Sequence, residues 1–140
     1  MKKITVLKAY TLLSICHKYQ NTQTKFGFAC KRNYDIIKSK LKPIEVEIED
    51  KRNELASTDD TPAKNLILDA DKNYTYSKEN DKLIINYIRK KHESEIEVEF
   101  YVCKDHSAVK DNFALQLELA ETILPITVEE LYGEVPEEEK

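Results

Sequence analysis

Apolar residues recur at helical spacing through most of the N-terminal third of the chain. Between residues 4 and 20, Val6, Ala9/Tyr10, Leu13 and Cys16 form one stripe, with Leu12, Ile15 and Tyr19 beside it, which predicts a first helix. The polar run QNTQT (20–24) interrupts the stripe and suits a short helix–helix connection. From Phe26 to Leu55 the apolar positions Cys30, Tyr34, Ile37, Leu41, Ile44, Ile48 and Leu55 are spaced alternately by four and three, with Lys51 in the one remaining slot. That is a heptad seam, with Tyr34, Leu41, Ile48 and Leu55 at a, and Cys30, Ile37, Ile44 and Lys51 at d. A helix of this length spans about 45 Å at its ~1.5 Å rise per residue. Pro43 falls at position c, outside the seam, so the pattern survives it and a kink is expected there. The alternative is two shorter helices meeting at Lys42–Pro43.

Beyond Leu55 the pattern changes period. STDDTPAK (57–64) reads as a linker, and NLIL-DADK-NYTY (65–76) as two short strands around a turn. Ser77 is placed to cap a third helix running to about His92, with Leu83, Ile84, Tyr87 and Ile88 inward. EIEVEFYVC (95–103) alternates: Ile96, Val98, Phe100 and Val102 face one way and Glu95, Glu97 and Glu99 the other, as in a half-exposed strand. A lone strand is unstable, so it is expected to complete a three-stranded antiparallel sheet with the 65–76 hairpin. Residues 107–124 fit either a helix or a strand, and their Leu, Ala, Gln and Glu content favours helix. Thr127 with Glu130 forms a capping box for a short last helix ending near Gly133, followed by the acidic tail 134–140, expected to fray.

The resulting expectation is an α+β fold, mainly helical. A long kinked helical hairpin (4–56) would join a small sheet and further short helices (65–133) in one domain over residues 1–133. Composition agrees: with 2 Gly and 4 Pro in 140 residues, tight turns are few and helices should dominate. Two distant glycines, Gly27 and Gly133, also exclude the glycine-rich loops that cradle phosphates.

At this point the order of features resembles a family of small tailed-bacteriophage proteins to which no activity is assigned. The resemblance lies in FGFACKRNYDII after a leading apolar helix, a long charged helix, the hairpin DADKNYTYS, a helix, the strand EIEVEFYV and the closing ITVEELYG. It covers about residues 4–132. It implies a phage origin and an accessory role, and it carries over no catalytic residue.

Candidate chemistry adds little. DADKN sets Asp69, Asp71 and Asn73 at the opening spacing of a calcium loop. The sixth position is Tyr74 where the turn needs Gly, and the twelfth is Asn80 where a bidentate Glu belongs, so an acidic hairpin turn is the better reading. Cys103-x-x-His106 has zinc-ligand spacing, but adjacent Cys16 and His17 make a poor second pair. No metal or cofactor is expected. A Cys–His nucleophile would need an orienting group and an oxyanion donor, neither of which the spacing suggests, so a non-enzymatic protein is expected. Three cysteines (Cys16, Cys30 and Cys103) with no CxxC read as reduced thiols, with Cys16 and Cys30 packed in the core as small hydrophobes. The N-terminus MKKITVLKAYTLLSIC mimics a signal peptide. Lys8 and Tyr10 interrupt its apolar stretch, and Ile15 stands where a lipoprotein signal needs a small residue. With no run near ~18 apolar residues, no membrane association is expected, and the host cytoplasm or a virion is the expected location.

The charge distribution changes the picture most. Residues 1–42 carry ten Lys/Arg and one acid, while residues 43–140 carry twelve against twenty-five, for a net charge of −4. Along the second helix the seam is flanked by Lys31, Lys38 and Lys40, then by Glu45, Glu47 and Glu54. An antiparallel second copy would set Lys38 against Glu45 and Lys40 against Glu47, giving a homodimer through Tyr34, Ile37, Leu41, Ile44, Ile48 and Leu55. Alternatively, the first helix covers the same seam and the charges are solvated or pair within the monomer, a reading favoured by Lys51 at d and Arg52 at e. The basic half, with Lys25, Lys31, Arg32, Lys38, Lys40 and Lys42 beside Phe26 and Phe28, also suits nucleic acid, although a sequence pI of about 5.5 opposes that. The leading expectation is a protein that acts by binding an unidentified phage or host protein. Nucleic-acid binding, or an oligomer that sequesters a small molecule, is the alternative.

Overall fold

The computed structural model describes residues 1–105 and 107–133. Two features of the sequence, the zinc-type spacing to His106 and the acidic tail 134–140, therefore lie outside the described residues. In chain order the elements are β1 (Lys2–Thr5), α1 (Val6–Tyr19), α2 (Lys25–Leu55), α3 (Lys78–Glu93), β2 (Glu95–Val98), α4 (Phe113–Leu119) and α5 (Val128–Gly133). A short 3-10 turn at Ser107–Val109 precedes α4. The fold is α+β and mainly helical, and the chain divides into two compact units: residues 1–40 with 95–140, and Leu41–Ser94.

In the first unit, Thr5 sets the boundary between strand and helix. Its backbone is extended, and its Oγ1 accepts the Lys8 N–H at 3.0 Å, capping α1. The residues before it pair antiparallel with β2 in the register Lys2↔Val98 to Thr5↔Glu95. The first helix therefore begins at Val6, where sequence periodicity started it at residue 4. The sheet has two strands where three were expected, and the partner of β2 is the N-terminus, not the 65–76 hairpin.

The strand also stops at Val98, short of the predicted Cys103. Past it the backbone finds other partners: Tyr101 bonds to the Asn33 side chain, and the Cys103 N–H reaches the Ile123 carbonyl at 2.7 Å. The ambiguous stretch 107–124 is helical only in part: a 3-10 turn at Ser107–Val109, then α4 over Phe113–Leu119, capped by Asn112, whose Oδ1 accepts the Leu115 N–H at 3.0 Å, and an isolated bridge between Ala120 and Leu124. The Thr127–Glu130 capping box forms reciprocally, with Glu130 N–H on Thr127 Oγ1 at 3.1 Å and Thr127 N–H on Glu130 Oε2 at 3.4 Å.

The core of this unit draws Val6, Ala9, Leu12 and Cys16 from α1, Phe26, Ala29, Cys30 and Ile37 from α2, Val98 from β2, and Leu119, Ile123, Leu124 and Leu131 from the C-terminal segment. Each fully buried Leu, Ile or Phe contributes about 1.5–3 kcal/mol relative to exposure, so this contact carries the unit. Cys16 and Cys30 meet across the α1–α2 contact as free thiols. Their mutual hydrogen bond, together with burial, pushes the Cys16 thiol well above its ordinary range.

The second unit packs the C-terminal half of α2, α3 and the segment between them around Leu41, Ile48 and Ile84, with Leu55, Tyr87 and Ile88 half-buried. Ser77 caps α3 as the sequence suggests, its Oγ accepting the Asn80 N–H at 3.1 Å; Asn80 Nδ2 in turn donates to the Leu55 carbonyl at the end of α2. Residues 57–76 form isolated bridges (Thr58↔Leu66 and Leu68↔Tyr74) and no regular strand. The side chains explain this correction. Asp59 Oδ1 accepts the Thr61 and Asn65 N–H groups, and Asp69 Oδ1 those of Asp71 and Asn73, while Lys64 and Lys72 have positive φ. Turn-forming side chains thus take the donors that a ladder would need.

Helix α2 runs unbroken through Pro43, so the alternative of two helices meeting there does not hold. The carbonyl that Pro43 cannot satisfy belongs to Ser39; both residues are exposed, where water can serve it.

Candidate functional site

The first two turns of α2 divide their side chains between two faces. Phe26, Ala29, Cys30 and Asn33 turn inward, while Lys25, Phe28, Lys31 and Arg32 stay exposed. Thr24 Oγ1 accepts the Gly27 N–H at 3.0 Å, and the Thr24 N–H returns to the Thr22 carbonyl at 2.9 Å, which fixes the turn leading into the helix.

Asn33 is fully buried and fixes what lies opposite. Its Nδ2 donates to the Tyr101 carbonyl at 2.7 Å and to the Ala29 carbonyl at 2.9 Å, and its Oδ1 accepts the Tyr101 N–H at 2.8 Å. One side chain thereby holds the backbone of Tyr101 against α2 as a strand neighbour would. The Tyr101 ring then meets Phe28 edge-to-face, centroids 5.7 Å apart, and the Arg32 guanidinium lies 5.4 Å from the Tyr101 centroid and 5.9 Å from that of Phe28.

Between the 20–25 turn and the 101–105 segment opens a cleft of about 850 Å³. Phe28, Tyr101 and Val102 line it and are 52%, 39% and 43% exposed; Lys25, Lys31 and Lys104 supply its cations. Cys103 lies at its base with Sγ donating to the Asp105 carbonyl at 2.9 Å, and burial pushes this thiol up, so it stays protonated near neutrality. The Asp105 carboxylate accepts the Ser107 N–H and hydroxyl. Among the described residues no group of three His, Cys, Asp or Glu side chains is placed to hold a metal ion. Such an arrangement can bind an anion beside an apolar group.

The seam residues named from sequence take up internal positions. Ile37 and Leu41 are fully buried and Ile48 nearly so, while Tyr34, Ile44 and Leu55 are half-buried. Tyr34 contacts the His17 ring at 5.8 Å and the Lys38 ammonium at 5.4 Å. Of the flanking charges, Glu47 pairs with Lys91, Glu54 pairs with Lys51 at 3.3 Å, and Glu45 is exposed and engaged. Lys31 lines the cleft, and Lys40 borders a smaller hollow with Met1, Ile36, Glu99 and Tyr101. A second copy docking on this seam would have to displace packing that the chain already makes. Sedimentation equilibrium at high micromolar concentration is accordingly expected to give a monomer mass. A dimer that dissociates on Lys38→Glu would instead restore the antiparallel pairing of α2.

In the second unit, Tyr74 donates to Glu49 Oε1 at 2.6 Å and contacts Asn53 Oδ1 at 3.0 Å. The Glu49 bond holds its phenol above the usual range. Lys51 and Lys91 each lie 5.5 Å from the Tyr87 centroid. These exposed and half-exposed groups tie the connecting segment and α3 to α2, a structural task.

Sequence reasoning named Lys25, Phe28, Lys31 and Arg32, which lie together on one helix face. It missed Asn33 as an anchor, and Tyr101, Val102 and Lys104 as the opposite wall. The available signal was the run Tyr101-Val102, which ends the alternation begun at Glu95 with two adjacent exposed apolar residues. No helix among the described residues is long and apolar enough to cross a membrane. No protein-family model, curated protein or solved structure matches the chain.

Proposed function

We propose that this is a non-enzymatic binding protein that docks a protein partner on the Phe28–Arg32–Tyr101 face of the cleft. The observation that supports this reading is the set of exposed, mutually packed aromatic and arginine side chains. Tyr and Arg are enriched among the residues that dominate protein interfaces: Tyr buries large area with few rotatable bonds and keeps a polar handle, and Arg brings a planar, multiply donating group that stacks on aromatic rings. Phe28, Arg32 and Tyr101 are already held against one another, which lowers the entropy lost on docking. The tailed-phage resemblance supplies the setting: an accessory role, with the partner in the particle or in the host cytoplasm. The nucleic-acid reading draws on the same place, since lysines around an exposed aromatic also suit a single strand.

A tagged pull-down from lysate of the cells that make the protein tests the proposal, with and without nuclease and with a Phe28→Ala/Tyr101→Ala variant. A protein captured after nuclease and lost with the double variant is the expected result. Loss of all capture on nuclease treatment would move the function to nucleic acid. Both rings are substantially exposed and Tyr101 is anchored by its backbone, so the variant should keep the wild-type melting temperature within a few degrees.

A further inference from the structure

Resting on that reading of the cleft, we infer that the docked segment is an acidic peptide that sets an apolar or aromatic side chain between carboxylates. The cleft has two chemically distinct parts. Phe28, Tyr101 and Val102 expose apolar surface that gains by being covered, and Lys25, Lys31 and Lys104 stand around it. Against these three ammonium groups the described lining sets one carboxylate, that of Asp105, in a chain whose net charge is −4; Lys8, Lys51, Arg52 and Lys91 form ion pairs elsewhere among the described residues. Three cations at an apolar patch within an acidic chain form a local potential complementary to a negatively charged ligand. Lysine, a point charge on a mobile stem, meets carboxylates at varied spacing along an extended chain, which a rigid guanidinium does not.

Two further observations favour a peptide over a nucleic-acid strand. The Arg32 guanidinium is placed against both rings, where a base would need an open face to stack. Beyond Tyr101 the surface turns acidic: Glu99 borders the adjoining hollow, and Glu95 and Glu97 follow exposed along β2. A phosphodiester strand, with a charge at every nucleotide, would run into those carboxylates, whereas a peptide can limit its charge to the cleft.

Fluorescence anisotropy at low salt tests the inference with three labelled probes. These are a short peptide alternating Glu with Phe and Leu, the same peptide with Gln for Glu, and oligo-dT. The acidic peptide is expected to bind, to weaken with added salt, and to bind about tenfold more weakly to the Lys25→Gln/Lys31→Gln/Lys104→Gln variant, as three partly screened ion pairs would give. Equal binding of the Gln peptide, or binding of oligo-dT without the acidic peptide, overturns the inference. The lysate capture separates its failure from that of the underlying reading. Capture that depends on Phe28 and Tyr101 but is not competed by the acidic peptide leaves the docking face standing and rejects the peptide chemistry. Capture indifferent to Phe28 and Tyr101 rejects the face itself.

Discussion

Asn33→Leu is expected to lower the stability of the protein by about 2–4 kcal/mol, read as a fall in the urea midpoint with little change in slope. Leucine fits the volume but makes no hydrogen bond, so the Tyr101 N–H and carbonyl lose partners at 2.8 and 2.7 Å in a part-buried position. Each such group left unsatisfied costs about 1–3 kcal/mol, and the apolar gain offsets only part of that. Asn33→Asp separates hydrogen bonding from shape. The carboxylate can still accept the Tyr101 N–H, but it loses both donors and places a charge where the side chain is fully buried. Burial raises the folded-state pKa of that introduced group above its ordinary ~3.9, so the folded protein binds the extra proton more tightly than the unfolded chain does. The penalty of Asn33→Asp is therefore full above the folded-state pKa and shrinks as pH falls through it towards the unfolded value. The Asn33→Leu penalty has no such pH dependence. Peptide binding at the cleft should fall in both variants, because the Tyr101 backbone loses both of its bonds to residue 33 in Asn33→Leu and the bond to its carbonyl in Asn33→Asp. An unfolding free energy for Asn33→Leu within about 0.5 kcal/mol of wild type would show that Asn33 does not anchor the 101–105 segment.

What the sequence revealed and what it hid divide along the range of the interactions. Caps act within one turn, so Ser77 and the Thr127–Glu130 pair were legible from residue types alone. The burial stripe of α2 was legible as well, because four of its seam positions, Cys30, Ile37, Leu41 and Ile48, are core in this chain. The reversal of charge at Pro43 lies close to the point, between Lys40 and Leu41, at which α2 passes from one compact unit to the other. Its acidic half uses Glu47 to hold α3 through Lys91, while its basic half carries Lys25 and Lys31 to the cleft. By contrast β1 is four residues, KKIT, with one apolar side chain, too short for any period. Its strand character comes entirely from pairing with residues ninety or more positions away. The same holds for the cleft. The half written on one helix face could be read, and the half brought by Asn33 bonding to Tyr101 could not, since a buried Asn and a solvated one look alike in sequence. DADKN forms the acidic turn read from the sequence for a local reason: Asp69 Oδ1 accepts backbone N–H groups of its own turn.

Gly27→Ala should invert the usual rule for glycine in a helix. In an open helix interior the change stabilises by about 1 kcal/mol, because alanine has less backbone freedom to lose. At Gly27 an added Cβ would overlap the Thr22 carbonyl oxygen and lie 2.9 Å from the Thr22 carbonyl carbon and 3.1 Å from its Cβ. The obstacle is mainly backbone, so no rotamer change relieves it. That same carbonyl accepts the Thr24 N–H, and Thr24 caps the Gly27 N–H, so moving the turn away breaks the entry to α2. The expected cost is about 2–4 kcal/mol, the overpacking penalty at a site with little room to yield. The 20–25 turn also lines the cleft, so acidic-peptide affinity should fall in the same variant even at temperatures where it remains folded. Gly133→Ala is the internal control. A Cβ there meets nothing within 4 Å, and its effect should stay within about 0.5 kcal/mol. Parallel thermal melts decide the matter. A Gly27→Ala midpoint equal to or above wild type would mean that the turn does not approach the helix this closely, and that the wall of the cleft formed by residues 20–25 is placed differently. A large loss at Gly27 beside none at Gly133 would locate the constraint in the close approach of two backbones.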